Sequence, residues 1–266
     1  MIPGQLSLVM IAANEERNLG GCLASAAGLG AVLGEVVLVD DSRDEATTAA
    51  ARAALAAFKP QPELRVFRRR YDGQARQTNF ALEQARGDWL LLLDADERMS
   101  AAMRADVRRR VAGAQDCAAV FFPRRNIVFG RWLRHGGNYP DYNHARLLRR
   151  GRARFGDRAV HARLEISGPA AYSRAPLLHH SYPDLRAYFD KFNRYTTSEA
   201  LDMAAAGRRY SPGRMWAESL GHLAQRGVQG AAFLDGVPGV TYLGLGFAYD
   251  LVRHWKLREL REWNRP

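Results

Sequence analysis

Three apolar runs constrain this chain more than anything else in it: residues 6–13 (LSLVMIAA), 35–40 (EVVLVD) and 89–93 (WLLLL). None alternates apolar with polar residues, as a strand with one wet face would, and the stretches between them carry helical spacing. Strands of this kind, separated by helices, predict an α/β fold with a mostly parallel sheet covered by helices on both faces. Residues 14–27 read as a polar turn entering a helix, and an alanine-rich helix follows Asp40 to about Phe58. Residues 76–86 have helical spacing, ended by Gly87, and residues 64–67 and 120–122 read as further short strands.

Beyond Arg124 the pattern shifts to glycine, arginine and aromatic clusters with short strands, then a helix over 184–206. The last block, 211–266, predicts two or three helices broken at 236–239 and closed by the basic WKLRELREW stretch. The expected organisation is a catalytic domain over 1–210 and a helical extension over 211–266, which suits 266 residues. Cys22 and Cys117 lie far apart in apolar surroundings, which excludes a disulfide framework or a four-thiolate zinc site and points to a reducing compartment. The N-terminus lacks a basic start and a small-residue cleavage site, so a cytoplasmic location is expected.

The uncharged run 237–249 falls short of the roughly 20 residues needed to span a bilayer. Arg226, Arg253, Lys256, Arg258 and Arg261, with Trp255 and Trp263, leave two readings open. One is an element lying on the cytoplasmic face of the anionic inner membrane, the other a buried helix pair.

Ligands of parallel α/β sheets bind outside the carboxyl ends of the strands, so the residues that end the apolar runs carry the chemistry. They are Asn14 and Glu15, Asp40 and Asp41, and Asp94-Ala95-Asp96. Two carboxylates two residues apart at the mouth of a buried strand suit a sugar or ribose hydroxyl and a hard cation, Mg²⁺ or Mn²⁺, that bridges to a diphosphate. Neither a GxGxxG nor a GxxxxGK[ST] loop is present, which argues against nicotinamide and P-loop chemistry. His135, His144, His179 and His180 lack the spacing of a zinc site. The net charge of +11, almost all from arginine, favours anionic partners. A basic nucleic-acid-binding protein is the alternative of another class, but no recognition motif supports it and no specific nucleic-acid partner is expected.

The segments IAANEERNLGGCLAS, VDDSRDEAT, GQARQTNFALEQARGDWLLLLDADER, HGGNYPDYNHARLLRRG, VHARLEISG and LLHHSYPDLRAYFDKFNRYTTSEA carry a resemblance. In this order they resemble the inverting glycosyltransferases of family 2, which have the GT-A fold, and specifically the branch containing lipopolysaccharide-core glucosyltransferases. The resemblance implies a UDP-sugar or similar nucleotide diphosphate sugar as donor and a lipopolysaccharide-core or lipid-linked glycan as acceptor. It implies that Ala13, Asn14, Glu15 and Asp40 hold the nucleoside, that Arg76 and Asn79 face the diphosphate, that Asp94 meets the donor sugar and that Asp96 binds the metal. One of His179 and His180 would touch the diphosphate or its metal.

Inversion needs a base that deprotonates the acceptor hydroxyl. In the branch resembled, a glutamate follows the histidine of the VHARLEISG stretch, and this chain has Ala162 there. The candidates left are Asp157 and His161, then Glu165, with Asp141 also placed on the acceptor side. Arg146, with Arg149 and Arg150, is a candidate for an acidic acceptor. The vacancy at Ala162 keeps a polyprenyl-phosphate acceptor open, because an acceptor that is already anionic demands less of a base.

Overall fold

The computed structural model describes residues 6–113, 116–156 and 163–262. The chain forms two compact units, one from residues 1–124 and 142–179, the other from 125–141 and 180–266.

The first unit is built on strands β1 (Leu6–Ala12), β2 (Leu33–Asp40), β3 (Glu63–Arg68) and β4 (Trp89–Leu92), with helices α1 (Glu16–Ala26), α2 (Ala46–Leu55) and α3 (Gln74–Gln84) between them. After β4 come β5 (Glu97–Met99), α4 (Ala101–Ala112), β6 (Ala119–Phe121), β7 (Arg124–Val128), β8 (Arg131–Trp132), β9 (Ala145–Arg149), β10 (Ala153–Phe155), β11 (Leu164–Ile166), β12 (Ala170–Tyr172) and β13 (Leu177–Tyr182). Seven strands make one sheet in the order β12-β6-β9-β4-β1-β2-β3. The run β4-β1-β2-β3 is parallel, as continuous apolar strands require, and β9 enters antiparallel between β4 and β6.

Both faces of the sheet are covered. Leu6, Leu8 and Met10 of β1 pack with Leu19 and Leu23 of α1, Leu55 of α2 and Val107 of α4. Val9 of β1, with Val37 and Val39 of β2, packs on the other face with Ala81 and Leu82 of α3. Period-2 alternation of strand side chains explains why one strand feeds both layers and why its sequence is apolar throughout. Gly87 does more than stop α3. A Cβ there would stand 2.8 Å from the backbone nitrogen and Oγ of Ser7, so only glycine lets this turn lie against β1.

β13 begins in the first unit, antiparallel to β5, with His179 paired to Glu97. In the second unit β7 and β8 form a hairpin turned by Phe129 and Gly130, both with positive φ. Arg125 and Arg134 each place a guanidinium 4.2 Å from the centre of the Trp132 ring.

Helices α5 (Leu185–Ala205), α6 (Pro212–Ala224) and α7 (Gly236–Glu262) follow. The break before α7 starts earlier than the expected 236–239 and meets it at Gly236, whose φ is 69. A π turn over 225–229 leads to Ala231, which is left-handed at φ 52, and α7 then runs straight through Gly239. Pro238 sits in the first turn of α7, where its missing N–H costs no helical bond. Polar clamps hold the three helices. Lys256 Nζ donates to Asn193 O, Asn193 Oδ1, Thr196 Oγ1 and Thr197 Oγ1, Arg253 pairs with Glu199 and Asp250, and His254 Nε2 meets Glu218. Arg253 and Lys256 are thus used inside the helical unit.

Candidate active site

The carboxyl ends of β1, β2 and β4 bring three of the predicted clusters to one edge of the sheet, since β1 pairs with both β2 and β4 in parallel register. Asp40, at the end of β2, is 1% exposed. Its Oδ1 accepts from Ser42 N–H and Oγ, and its Oδ2 accepts from Thr48 Oγ1 at 3.2 Å and Arg68 Nη1 at 2.7 Å. The β2–β3 register sets Asp40 opposite Arg68, so this ion pair follows directly from strand alignment.

The same hydroxyls shape the loop after β1. Ser42 Oγ accepts from Asn14 N–H at 2.8 Å, and Thr47 Oγ1 accepts from Glu15 N–H at 3.1 Å. Asn14 is held in the left-handed region at φ 56, and Asn18 Nδ2 donates to Glu15 Oε2. Ala13 and Asn14 are exposed, while Asp40 works beneath them as the anchor of the loop.

The Asp94–Asp96 turn is closed by two reciprocal bonds, from Asp94 N–H to Glu97 Oε2 and from Glu97 N–H to Asp94 O, each 3.0 Å. Arg98 locks it from behind by donating to Ala95 O, Glu97 O and Asn18 O. Arg146, on β9, donates to Asp94 Oδ2 at 3.1 Å and pairs closely with Glu97. Arg146 and Glu97 are both buried, whereas the Asp94 side chain is 42% exposed. Burial pushes the Glu97 carboxyl above its ordinary range, against the pull of Arg146. Burial alone would weaken the hold of Arg146 on its proton, but Glu97 and Asp94 outweigh it and keep the guanidinium charged. Arg146 is therefore held within the site by Glu97 and Asp94.

The β5–β13 pairing brings His179 beside Asp96, with Nε2 3.5 Å from Oδ2. A carboxylate oxygen and an imidazole nitrogen at this separation are a donor set suited to Mn²⁺ or Mg²⁺ when phosphate and water oxygens complete the shell. No group of three or more His, Cys, Asp or Glu gathers as a closed metal cage among the described residues. A shallow cleft lies beside Asp94, bordered by Gln74, Thr78, His144, Arg146 and Phe155.

Arg76 is exposed in the first turn of α3. Asn79 has both ends of its amide committed to the backbone of Phe155, donating to its O and accepting from its N–H, each at 2.8 Å. Glu165 sits on β11 and opens onto a different cleft, bordered by Asn79, Arg150, Arg152 and Arg154. Asp141 belongs to the second unit, where Asn126 Nδ2 donates to its Oδ2. His135 is in the same unit, with Nδ1 2.9 Å from Asp235 Oδ1. Asp157 and His161 lie outside the described residues. Sequence reasoning missed Glu97, Arg68 and the hydroxyls of Ser42, Thr47 and Thr48. A signal for Glu97 was present: an arginine inside the apolar strand ARLLR requires a carboxylate partner.

Comparison with known proteins identifies the family and the fold. The family described as glycosyl transferase family 2 matches residues 7–179. The lipopolysaccharide core biosynthesis glycosyltransferase LpsC of Rhizobium meliloti is 30% identical over 212 residues, 79% of this chain and 76% of its own length. Among solved structures, the mannosyltransferase PcManGT of Pyrobaculum calidifontis, in complex with GDP-Man and Mn²⁺, superposes with a TM-score of 0.57 at 18% identity. The match covers 97% of this chain and 88% of that one. Residues 1–349 of S. aureus TarS in complex with UDP give a TM-score of 0.50 at 14% identity over 98% and 92% of the two chains. These similarities show the GT-A fold.

Proposed function

The chain belongs to glycosyl transferase family 2 and is related to a lipopolysaccharide core glycosyltransferase, and from that premise we propose a cation-dependent, inverting hexosyltransferase. Its donor is a nucleotide diphosphate sugar, with UDP-sugars the first to try, and its acceptor a hydroxyl of a lipopolysaccharide-core or lipid-linked glycan at the cytoplasmic face of the inner membrane. The observation that carries the reading is the pair Asp96–His179 at 3.5 Å beside an exposed Asp94, at the carboxyl edge of the sheet.

In this reading the loop 13–15, braced by Asp40 through Ser42 and Thr47, receives the nucleoside. Asp94 orients the hydroxyls of the donor sugar, and Arg146 holds that carboxylate in place. Asp96 and His179 would hold the cation, which supplies Lewis-acid neutralisation of the diphosphate when bound. Arg76, exposed at the start of α3, is assigned to the diphosphate, where a guanidinium forms paired hydrogen bonds. Asn79 is assigned to positioning, since its amide is committed to Phe155. The base is assigned to Asp157 or His161, because Glu165 opens onto a separate cleft. Ala162 favours one second reading, transfer to a polyprenyl phosphate, in which the acceptor oxygen is already charged and no base is needed.

Thermal unfolding with a panel of nucleotide sugars, with and without Mn²⁺, tests this. A donor at about a hundredfold its Kd adds about 2.7 kcal/mol, a shift of roughly 5–10 °C for a chain of this size. The expected result is a Mn²⁺-dependent shift for one sugar nucleotide that is lost in Asp96→Asn. A shift that ignores Mn²⁺ would remove the cation from the reading, and no shift with any nucleotide sugar would remove the donor.

A further inference from the structure

The second unit carries an apolar surface that the donor site does not use. Trp216, Leu220 and Val228 are exposed along α6 and the π turn, and Val228, Phe233, Leu234, Val237 and Val240 are between 53% and 80% exposed around the turn into α7. The turn is firmly built. Gly136 N–H donates to Gly230 O at 2.6 Å, and the N–H groups of Arg134 and His135 donate to the Asp235 carboxylate at 2.9–3.1 Å. A Cβ on Gly239 would run into the carbonyl of Ala232, so the start of α7 packs tightly on the turn. The backbone is fixed, and the large apolar side chains point out of it.

Charge selects what covers them. From Gly227 to Tyr249 the only Asp, Glu, Lys or Arg is Asp235, which is 6% exposed and bonded within its unit. Arg226 is exposed in the π turn itself, and the whole chain is basic at +11. A protein partner is ordinarily recognised by about one hydrogen bond per 100–200 Å², and among the exposed side chains from Gly227 to Val240 Gln229 alone can make one. A lipid leaflet needs none, and basic residues at the rim of an apolar surface match anionic headgroups.

We propose that the α6–α7 turn is a membrane-docking tip that inserts Val228, Phe233, Leu234, Val237 and Val240 into one leaflet of an anionic phospholipid bilayer, with Arg226 at the headgroups. The inference goes beyond the donor and acceptor reading and places the lipid contact at the turn, away from the basic C-terminal stretch. Insertion is shallow. No single helix among the described residues is long and apolar enough to cross a membrane, and the segments Pro212–Gln229 and Ala232–Leu260 meet at 65°. Straightening that bend would strip Asp235 of its bonds to Arg134 and His135.

The test is flotation of the full chain with phosphatidylcholine vesicles, with and without phosphatidylglycerol, in the absence of nucleotide sugar. Its outcome is thus separate from that of donor binding. The expected result is binding that requires phosphatidylglycerol and weakens by roughly tenfold or more in Phe233→Ser with Val237→Ser, while Leu185→Ser on α5 binds as the native chain does. Since Cys22 and Cys117 are buried, Val237→Cys accepts a polarity-sensitive dye at one site, and its emission is expected to shift to the blue on vesicle binding. This second readout does not depend on how the serine variants fold. No binding, binding with an unshifted dye, or a dimer that the serine substitutions dissociate would each overturn the proposal, the last by assigning the patch to a second copy.

Discussion

Arg146 shows how one residue can matter to a site it does not line with a free charge. Its guanidinium is removed from water and held by Glu97 and Asp94. Removing one partner of such a pair strands the other, at a cost of about 3–5 kcal/mol, whereas replacing both with apolar groups is often nearly neutral. Arg146→Ala is therefore expected to lose about 3–5 kcal/mol in denaturant unfolding. The double substitution of Arg146→Leu with Glu97→Leu should recover most of that stability. If Arg146 acts by positioning Asp94, the double variant regains its fold without its donor-dependent thermal shift. Recovery of both would reduce Arg146 to a packing role. The Asp94–Asp96 pair was legible from sequence because it ends an apolar run. Arg146 was singled out for an acidic acceptor, but its pairing with Glu97 was not legible, because the two lie 49 positions apart and charged residues are ordinarily on the surface.

At the scale of elements, a single carboxylate fastens the other end of the sheet. Glu35 of β2 accepts from Ser7 Oγ of β1, from Arg65 of β3 at 3.1 Å and from the N–H of Arg86 just after α3. Burial raises the pKa of Glu35, but these donors outweigh it and hold the carboxyl below its ordinary 4.5. A group whose pKa is depressed on folding stabilises the fold above its unfolded value, and that stability is lost as pH falls through the lower folded value. The Tm gap between the native chain and Glu35→Gln is expected to be widest near neutrality and to narrow below about 4.5. A gap independent of pH would exclude the carboxylate as its source. The parallel strands that share this clamp were readable as apolar runs. The antiparallel entry of β9 and the β5–β13 pairing were not, since strands of three to six residues are chosen by the neighbours they meet more than by their own pattern.

For the molecule as a whole, charge and fold give separate instructions. The excess of +11 is dispersed along the chain, so attraction to polyanions is expected without a recognition surface. Binding to random duplex DNA should disappear between about 50 and 200 mM salt, while the donor-dependent thermal shift persists. DNA affinity that survives high salt would contradict this reading.

The sequence by itself determined the parallel core, the family and the three strand ends where polar residues gather, because a strand buried on both faces must be apolar until it leaves the sheet. It also showed, through Ala162, that the expected glutamate is missing. Tertiary structure alone decided which charges serve inside the protein. Arg68 meets Asp40 through strand register, His179 reaches Asp96 across an antiparallel pair, and Lys256 spends its donors on α5. The physical reason is that an apolar run announces its own burial through hydration, whereas a charged side chain is settled by the partner that folding brings to it.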